Sequence, residues 1–343
     1  MLTCSRSYQD SKMTVWWCWK ETLNARDVPT DFRDIGILHG YRKPGSSFRT
    51  CLQSMFKLHN ETFNVWTHLI FSSLFLYLLC TQPHELLAAD GYTLFCLLIT
   101  CVLYPLGSAT AHLFNCMSPV ARHICFMIDY LSISLYAFGA CCSNKVYALP
   151  DSWQGGLFAD LFLVCMFVCC MGCVYVSCST RFMPVCRRTK ILRLSAFALP
   201  YIIGMTPCMH RVIFCSEADN TCVGASYYAQ HFFDTIFTVT FYGGHVPEVL
   251  FPGYFDIFFQ SHSIFHVVVA IGSYHHSQGI MMNMTSRPVS NRSPMSISPI
   301  YPLALLTILN SLIVIHFGRR MAKLKRTTSG LHLVMNNNEH KDK

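Results

Sequence analysis

Two histidines, His262 and His266, lie four residues apart inside an apolar stretch. On a helix this spacing projects both rings from one face, one turn apart. Two imidazoles so placed can ligate one metal ion, although packing often produces the same pair. Topology strengthens the signal. His112, with Ser108 one turn before it, and Asp129 stand at comparable depth in two other apolar stretches, where ionisable groups are costly and usually functional. Three neutral imidazoles with an open fourth position make a catalytic-type zinc site. A neighbouring carboxylate, Asp129, can bind the zinc water or take its proton. Ser108 can hydrogen-bond that water or a substrate carbonyl. Zinc held by His112, His262 and His266 is the favoured reading; buried histidines held by interhelical hydrogen bonds are the alternative. His275 and His276 follow about 20 Å further along the same helix at 1.5 Å per residue. They fall in the opposite leaflet and are expected to be an interfacial pair.

A site of this kind needs several helices crossing at one depth. Only 13% of the 343 residues are charged and 52% are hydrophobic, whereas soluble domains carry about 25% charged residues. This argues against an ordinary cytosolic enzyme, and no basic face with polar surroundings suggests a nucleic-acid partner. Apolar stretches near the length of a bilayer core recur at 64–82, 91–115, 124–143, 157–179, 194–214, 227–246, 260–282 and 299–318. The sixth is interrupted by Gln230, His231 and Asp234. The expected fold is an all-α membrane protein: a seven-helix bundle, an eighth C-terminal span and an intramembrane zinc site. Before it, Phe48, Leu52, Met55 and Phe56 recur at helical spacing with Arg49 and Lys57 opposite, the pattern of an interfacial amphipathic helix. The segment before the first span holds no signal-peptide apolar region. The last ~20 residues look disordered by composition. Most of the 19 Cys sit in apolar runs, where they act as small hydrophobes.

Charge placement sets the orientation. Nine Lys and Arg precede the first span, five lie between the fourth and fifth, and seven follow the last. With eight spans the positive-inside rule places both termini in the cytoplasm. Omitting the last span would strand Arg319, Arg320, Lys323, Lys325 and Arg326 outside. Residues 1–62 then form a cytoplasmic segment, 63–282 the seven-span core, 283–320 an external loop with the eighth span, and 321–343 a cytoplasmic tail. Asn283-Met284-Thr285 is a glycosylation sequon falling in the outer loop. Cys215 and Cys222 flank another outer loop, where a disulfide and two unpaired thiols are equally compatible.

The chemistry-bearing residues sit in motifs that resemble the progestin and adipoQ receptor family. Asn60-Glu61-Thr62-Phe63-Asn64-Val65-Trp66-Thr67-His68 matches its motif at the entry to the first span. Ser108 through His112, followed by Asp129-Tyr130, is a second match. Pro247-Glu248, Pro252-Gly253-Tyr254-Phe255-Asp256 and Ser261-His262 through His266 make a third. The run from Ala121 to Tyr130 resembles the membrane progestin receptors, a branch in which an eighth span is typical. Ser132 and Gln260 depart from the family's usual glycines. The resemblance implies that His112, His262 and His266 ligate zinc, that Asp129 holds the zinc-bound water and that Ser108 assists. It also implies a lipid or steroid cavity opening toward the inner leaflet. Trp66 is read as an interface anchor, and Asn64 and His68 as interhelical hydrogen-bonding groups. The expected function is a plasma-membrane receptor for a progestin-like steroid or related lipid, signalling inward through heterotrimeric G proteins as the resemblance suggests. The alternative is an intramembrane zinc-dependent amidohydrolase of ceramide-like lipids, with zinc polarising the amide carbonyl and Asp129 moving the proton. The two are compatible, since a receptor can signal by hydrolysis. A purely structural zinc is the third reading.

Overall fold

The computed structural model describes residues 22–84, 92–184, 186–216, 222–286, 292–293 and 295–339, with 328–339 as backbone alone. Among them the chain is helical, apart from turns and one isolated bridge between Leu23 and Tyr41. The helices are α1 (Phe48–Ser54), α2 (Thr62–Thr81), α3 (Thr93–Phe114), α4 (Pro119–Ser143), α5 (Leu157–Ser179), α6 (Arg187–Phe214), α7 (Ala225–Gly244), α8 (Ser261–Ser286) and α9 (Ile300–Glu339). Each of α2 to α8 packs against the next, and α8 closes the ring on α2. Outside the ring, α9 lies against α4 and α5.

Among the described residues, α2, α3, α4, α5, α6 and α9 are long and apolar enough to cross a membrane. The other two long helices fall short because polar side chains are concentrated there. His231 and Asp234 lie on α7, and His262, His266, His275, His276 and Asn283 on α8. Those groups face inward, which is where a bundle in lipid must put them. Small residues let the backbones approach. A Cβ at Gly139 of α4 would sit 2.6 Å from the Cys96 carbonyl oxygen of α3, so this crossing depends on glycine. Leu94, Leu97, Leu98 and Tyr147 fill the layer beside it.

Several boundaries move from their expected places for local reasons. α4 begins at Pro119 rather than 124, because the Ser118 hydroxyl accepts from the Ala121 amide at 3.0 Å and proline suits the first helical position. α9 continues to Glu339, which corrects the expected disordered tail. The run Arg319-Arg320-Met321-Ala322-Lys323-Leu324-Lys325-Arg326 is made of strong helix formers. α1 is present as expected. Phe48 stacks on Phe114 at 4.8 Å, while Leu52 and Phe56 are exposed, as suits a helix at a membrane surface. Asn283 is 1% exposed inside α8 and donates to the Tyr228 hydroxyl at 2.6 Å. The amide nitrogen that a glycan would need is therefore spent in packing.

Candidate metal centre

Three helices meet at the end of the bundle where α3 finishes and α4 and α8 begin. His112 comes from the last turn of α3, and His262 and His266 from the first two turns of α8. One ring nitrogen of each lies within 4.8 Å of the other two. The ring centroids are 4.5 to 5.0 Å apart. His112 and His266 are 3% and 1% exposed.

Hydrogen bonds set the tautomers. His112 donates Nδ1–H to the Glu61 carboxylate at 2.7 Å, which leaves a lone pair on Nε2. His266 donates Nδ1–H to the Asn64 backbone carbonyl at 3.2 Å, again freeing Nε2. A histidine anchored through one nitrogen to a carboxylate or carbonyl, with the other nitrogen bare, is the usual preparation of a metal ligand. The Nε2 atoms of His112 and His262 face each other at 3.1 Å. Ligand nitrogens on a tetrahedral zinc with bonds of about 2.0–2.1 Å lie roughly 3.3 Å apart. The residues present therefore fit a zinc-like ion.

Asp129 on α4 is buried, and its Oδ1 has no hydrogen-bond partner among the described residues. Ser108 and His112 are its polar neighbours and both favour its charged form. A buried carboxylate oxygen left unpaired calls for a partner such as water or an ion. The five residues singled out in the sequence thus gather at one end of the bundle. His276 does not behave as expected: it is fully buried and bonded to Asn144 Oδ1 at 2.8 Å, so it is a core residue rather than an interfacial one. His275 instead pairs with Asp234 at 2.7 Å.

The groups that hold the centre in place were mostly not singled out. Glu61 accepts from His112, from Asn64 Nδ2 at 2.7 Å and from Asn115 Nδ2. Burial works against its charge, but His112 and the guanidiniums of Arg42 and Arg122 hold the carboxyl well below its usual range. Arg42 donates to the carbonyls of His112 and Leu113 at 2.6 and 2.7 Å, and to Ser54 and Asn115. It thereby caps the end of α3, where carbonyls lack helical partners. Glu248 accepts from the Ser261 amide at 2.7 Å and from its hydroxyl, capping α8 one residue before His262. Despite burial, hydrogen bonds from His245 and Ser261 keep Glu248 at about 2. Asp256 takes the amides of Leu38 and His39, and Gln260 donates to the Asn60 carbonyl. Gly36, at φ +80°, leaves no room for a Cβ against the Glu248 carbonyl. The chain before α1 and the segment before α8 are so tied together beneath the site. Glu61, Glu248 and Asp256 were visible as motif residues; Arg42 carried no signal.

His68 corrects its expected role, while Trp66 gains a specific partner. His68 makes no hydrogen bond among the described residues and instead stacks on His266, centroids 3.6 Å apart. Trp66 donates Nε1–H to the Met55 carbonyl at 2.8 Å, fastening α2 to the chain after α1. Asn64 bonds Glu61 within its own helix entry rather than across helices. At the far end of the bundle Cys215 and Cys222 form a disulfide.

Apolar helices closed around buried imidazoles, with a carboxylate-anchored ligand set at one end, define a multi-pass membrane protein with a candidate metal centre. Residues 56–277 match the haemolysin-III-related family, and the chain belongs to that family, the progestin and adipoQ receptors. Human membrane progestin receptor gamma is 32% identical over 308 residues, 87% of this chain and 93% of that protein. Zebrafish (Danio rerio) membrane progestin receptor gamma-B is 34% identical over 289 residues, 78% of this chain and 83% of its own. Human membrane progestin receptor delta is 33% identical over 275 residues, covering 78% and 80%.

Proposed function

We propose that the chain is a plasma-membrane receptor for a progestin-like steroid or related lipid, acting inward through a heterotrimeric G protein. The observation that carries this reading is the similarity to human membrane progestin receptor gamma along 87% of the chain. Both termini face the cytoplasm in this reading. The basic residues around α1 and the end of α9 favour the inner surface. The Cys215–Cys222 disulfide, at the opposite end, suits an oxidising exterior.

His112, His262 and His266 would hold zinc, with Glu61 fixing the His112 ring and the Asn64 carbonyl fixing His266. A bound zinc would supply Lewis acidity toward a carbonyl or a water molecule. Asp129, with one oxygen free and the other side steadied by Ser108, supplies a proton acceptor next to the imidazoles. The relatives do not favour the second, compatible reading, in which the receptor hydrolyses a ceramide-like amide; the unpaired Asp129 oxygen is the group it would use. In it Asp129 accepts a proton from water and returns it to the leaving amine. The test is saturation binding of tritiated progesterone to purified protein in lipid nanodiscs, run beside a ceramide hydrolysis assay. Saturable binding near one site per chain is expected. Folded protein with no saturable steroid binding would overturn the receptor reading, and hydrolysis alone would leave the enzyme in its place.

A further inference from the structure

Beneath the metal centre lies a pair of thiols that the proposed chemistry does not use. Cys51 is on the inner face of α1, and Cys116 is in the turn that follows α3. Their sulfurs are 3.5 Å apart and unbonded, with the residues 1% and 4% exposed. A disulfide bond is about 2.05 Å long, so closure asks for roughly 1.5 Å of approach. The seven-residue helix α1 can supply that by a small shift.

The surroundings of the two sulfurs differ. A cavity of about 10 Å³ is lined by Cys116 together with Arg42, Glu61, Asn115 and Arg122. It is about large enough for one water molecule, so a small polar space adjoins this sulfur and not its neighbour. The hydrogen bond between the two sulfurs and the Arg42 guanidinium act against burial to hold the Cys116 thiol below its usual range. The Cys51 thiol is pushed up by the same contact and by burial. One sulfur is thus a ready nucleophile beside a cation, and its neighbour keeps its proton within reach. Arg42 already clamps Ser54 of α1 to the carbonyls of His112 and Leu113, so a covalent link here would reinforce an existing joint.

We propose that Cys51 and Cys116 form a reversible, peroxide-responsive disulfide that pins α1 to the end of α3 beneath the metal centre. The Cys116 thiolate attacks one oxygen of hydrogen peroxide and the O–O bond breaks. This gives Cys116 sulfenic acid and hydroxide, which takes up the proton that the thiol had released. The Cys51 sulfur then attacks the Cys116 sulfur. The S–O bond breaks, the disulfide forms, and a second water leaves with the Cys51 proton. Two thiols are oxidised, and both peroxide oxygens are reduced to water. A thiol reductant reverses the bond. In the reducing cytosol the pair rests open, as the structure has it. None of this depends on the ligand that the receptor binds.

The experiment uses reduced full-length protein in detergent, treated with hydrogen peroxide, alkylated and digested for mass spectrometry. A Cys51–Cys116 linked peptide should appear with peroxide dose and vanish with dithiothreitol. In Cys51→Ser, dimedone should trap sulfenic acid at Cys116; in Cys116→Ser, Cys51 should stay unlabelled. The wild-type measurement needs no variant to fold. Absence of the linked peptide under conditions that oxidise the exposed Cys186 would overturn the proposal. Equal dimedone labelling of Cys51 in Cys116→Ser would overturn the assignment of Cys116 as the attacking sulfur.

Discussion

Replacing Glu61 by Gln tests whether the candidate metal centre depends on the carboxylate behind it. In the native arrangement Oε2 takes hydrogen bonds from His112 Nδ1 and Asn64 Nδ2, both at 2.7 Å, and Oε1 takes one from Asn115 Nδ2. Glutamine keeps the size but offers one oxygen and one NH2. Keeping the oxygen toward His112 turns the NH2 onto the Asn115 donor. The reverse orientation turns it onto both His112 and Asn64. Asn115 cannot simply flip, because its Oδ1 already accepts from Arg42 at 2.9 Å. The His112 ring therefore loses its charged anchor, and its Nε2 becomes a weaker, less well-aimed ligand. Loss of such an outer partner typically lowers metal affinity 10- to 100-fold, about 1.4 to 2.8 kcal/mol at 1.4 kcal/mol per tenfold. The assay is competition between purified protein and a chelator of known zinc affinity, with circular dichroism confirming helix content. An affinity within about twofold of wild type, in a folded variant, would refute the argument that Glu61 prepares His112.

Four further outcomes follow from the same geometry. His262→Ala or His266→Ala should sharply reduce the zinc bound per chain by metal analysis, whereas His275→Ala, on the distant Asp234 pair, should leave it unchanged. Asp129→Asn should retain zinc while abolishing any ceramide hydrolysis; loss of metal in this variant would make Asp129 a ligand instead. Glu248 is held at about 2 against 4.5 in an unfolded chain. Its contribution to stability is thus complete above pH 4.5 and lost as pH falls toward 2; thermal unfolding of Glu248→Gln should lack that part of the acid dependence. An epitope tag after Lys343 should stay hidden from antibody in intact cells and become visible on permeabilisation. Staining of intact cells would put the end of α9 outside.

The sequence made the helices legible because a bilayer core demands a length of apolar chain that few other constraints imitate. It also made His112, His262 and His266 legible as a group, since the alternation of spans puts the end of α3 beside the start of α8. Partners were harder to read. Hydropathy ranks His276 and Asn283 as polar and sends them toward an interface, but Asn144 and Tyr228 wait for them inside the bundle. His68 was expected to hydrogen-bond and stacks instead. Arg42 looks like one surface cation among nine until folding brings it under α3. Such pairings join residues far apart in the chain, two hundred positions for Gln260 and Asn60, and no local pattern records them. The continuation of α9 was missed for the opposite reason. A run of charged helix formers reads as solvent-loving, and being solvent-loving does not prevent it from being helical.

That helix has a mechanical consequence. Forty residues at 1.5 Å each make a rod of about 60 Å, twice the ~30 Å of a hydrocarbon core. Its inner stretch is braced along α4 and α5, where Val314 and Phe317 are buried and Gly318 faces Ile124. Beyond Arg319 about 30 Å of rod projects past the end that carries the metal centre, with Lys325 latched to Asp31 at 2.6 Å. This is a cantilever with its fulcrum in the bundle. A tilt of about 5° at the fulcrum swings the tip sideways by about 3 Å over that length. Any tilt of the buried stretch is thus largest at the tip, and the Asp31–Lys325 ion pair ties the base of the arm to the chain before α1.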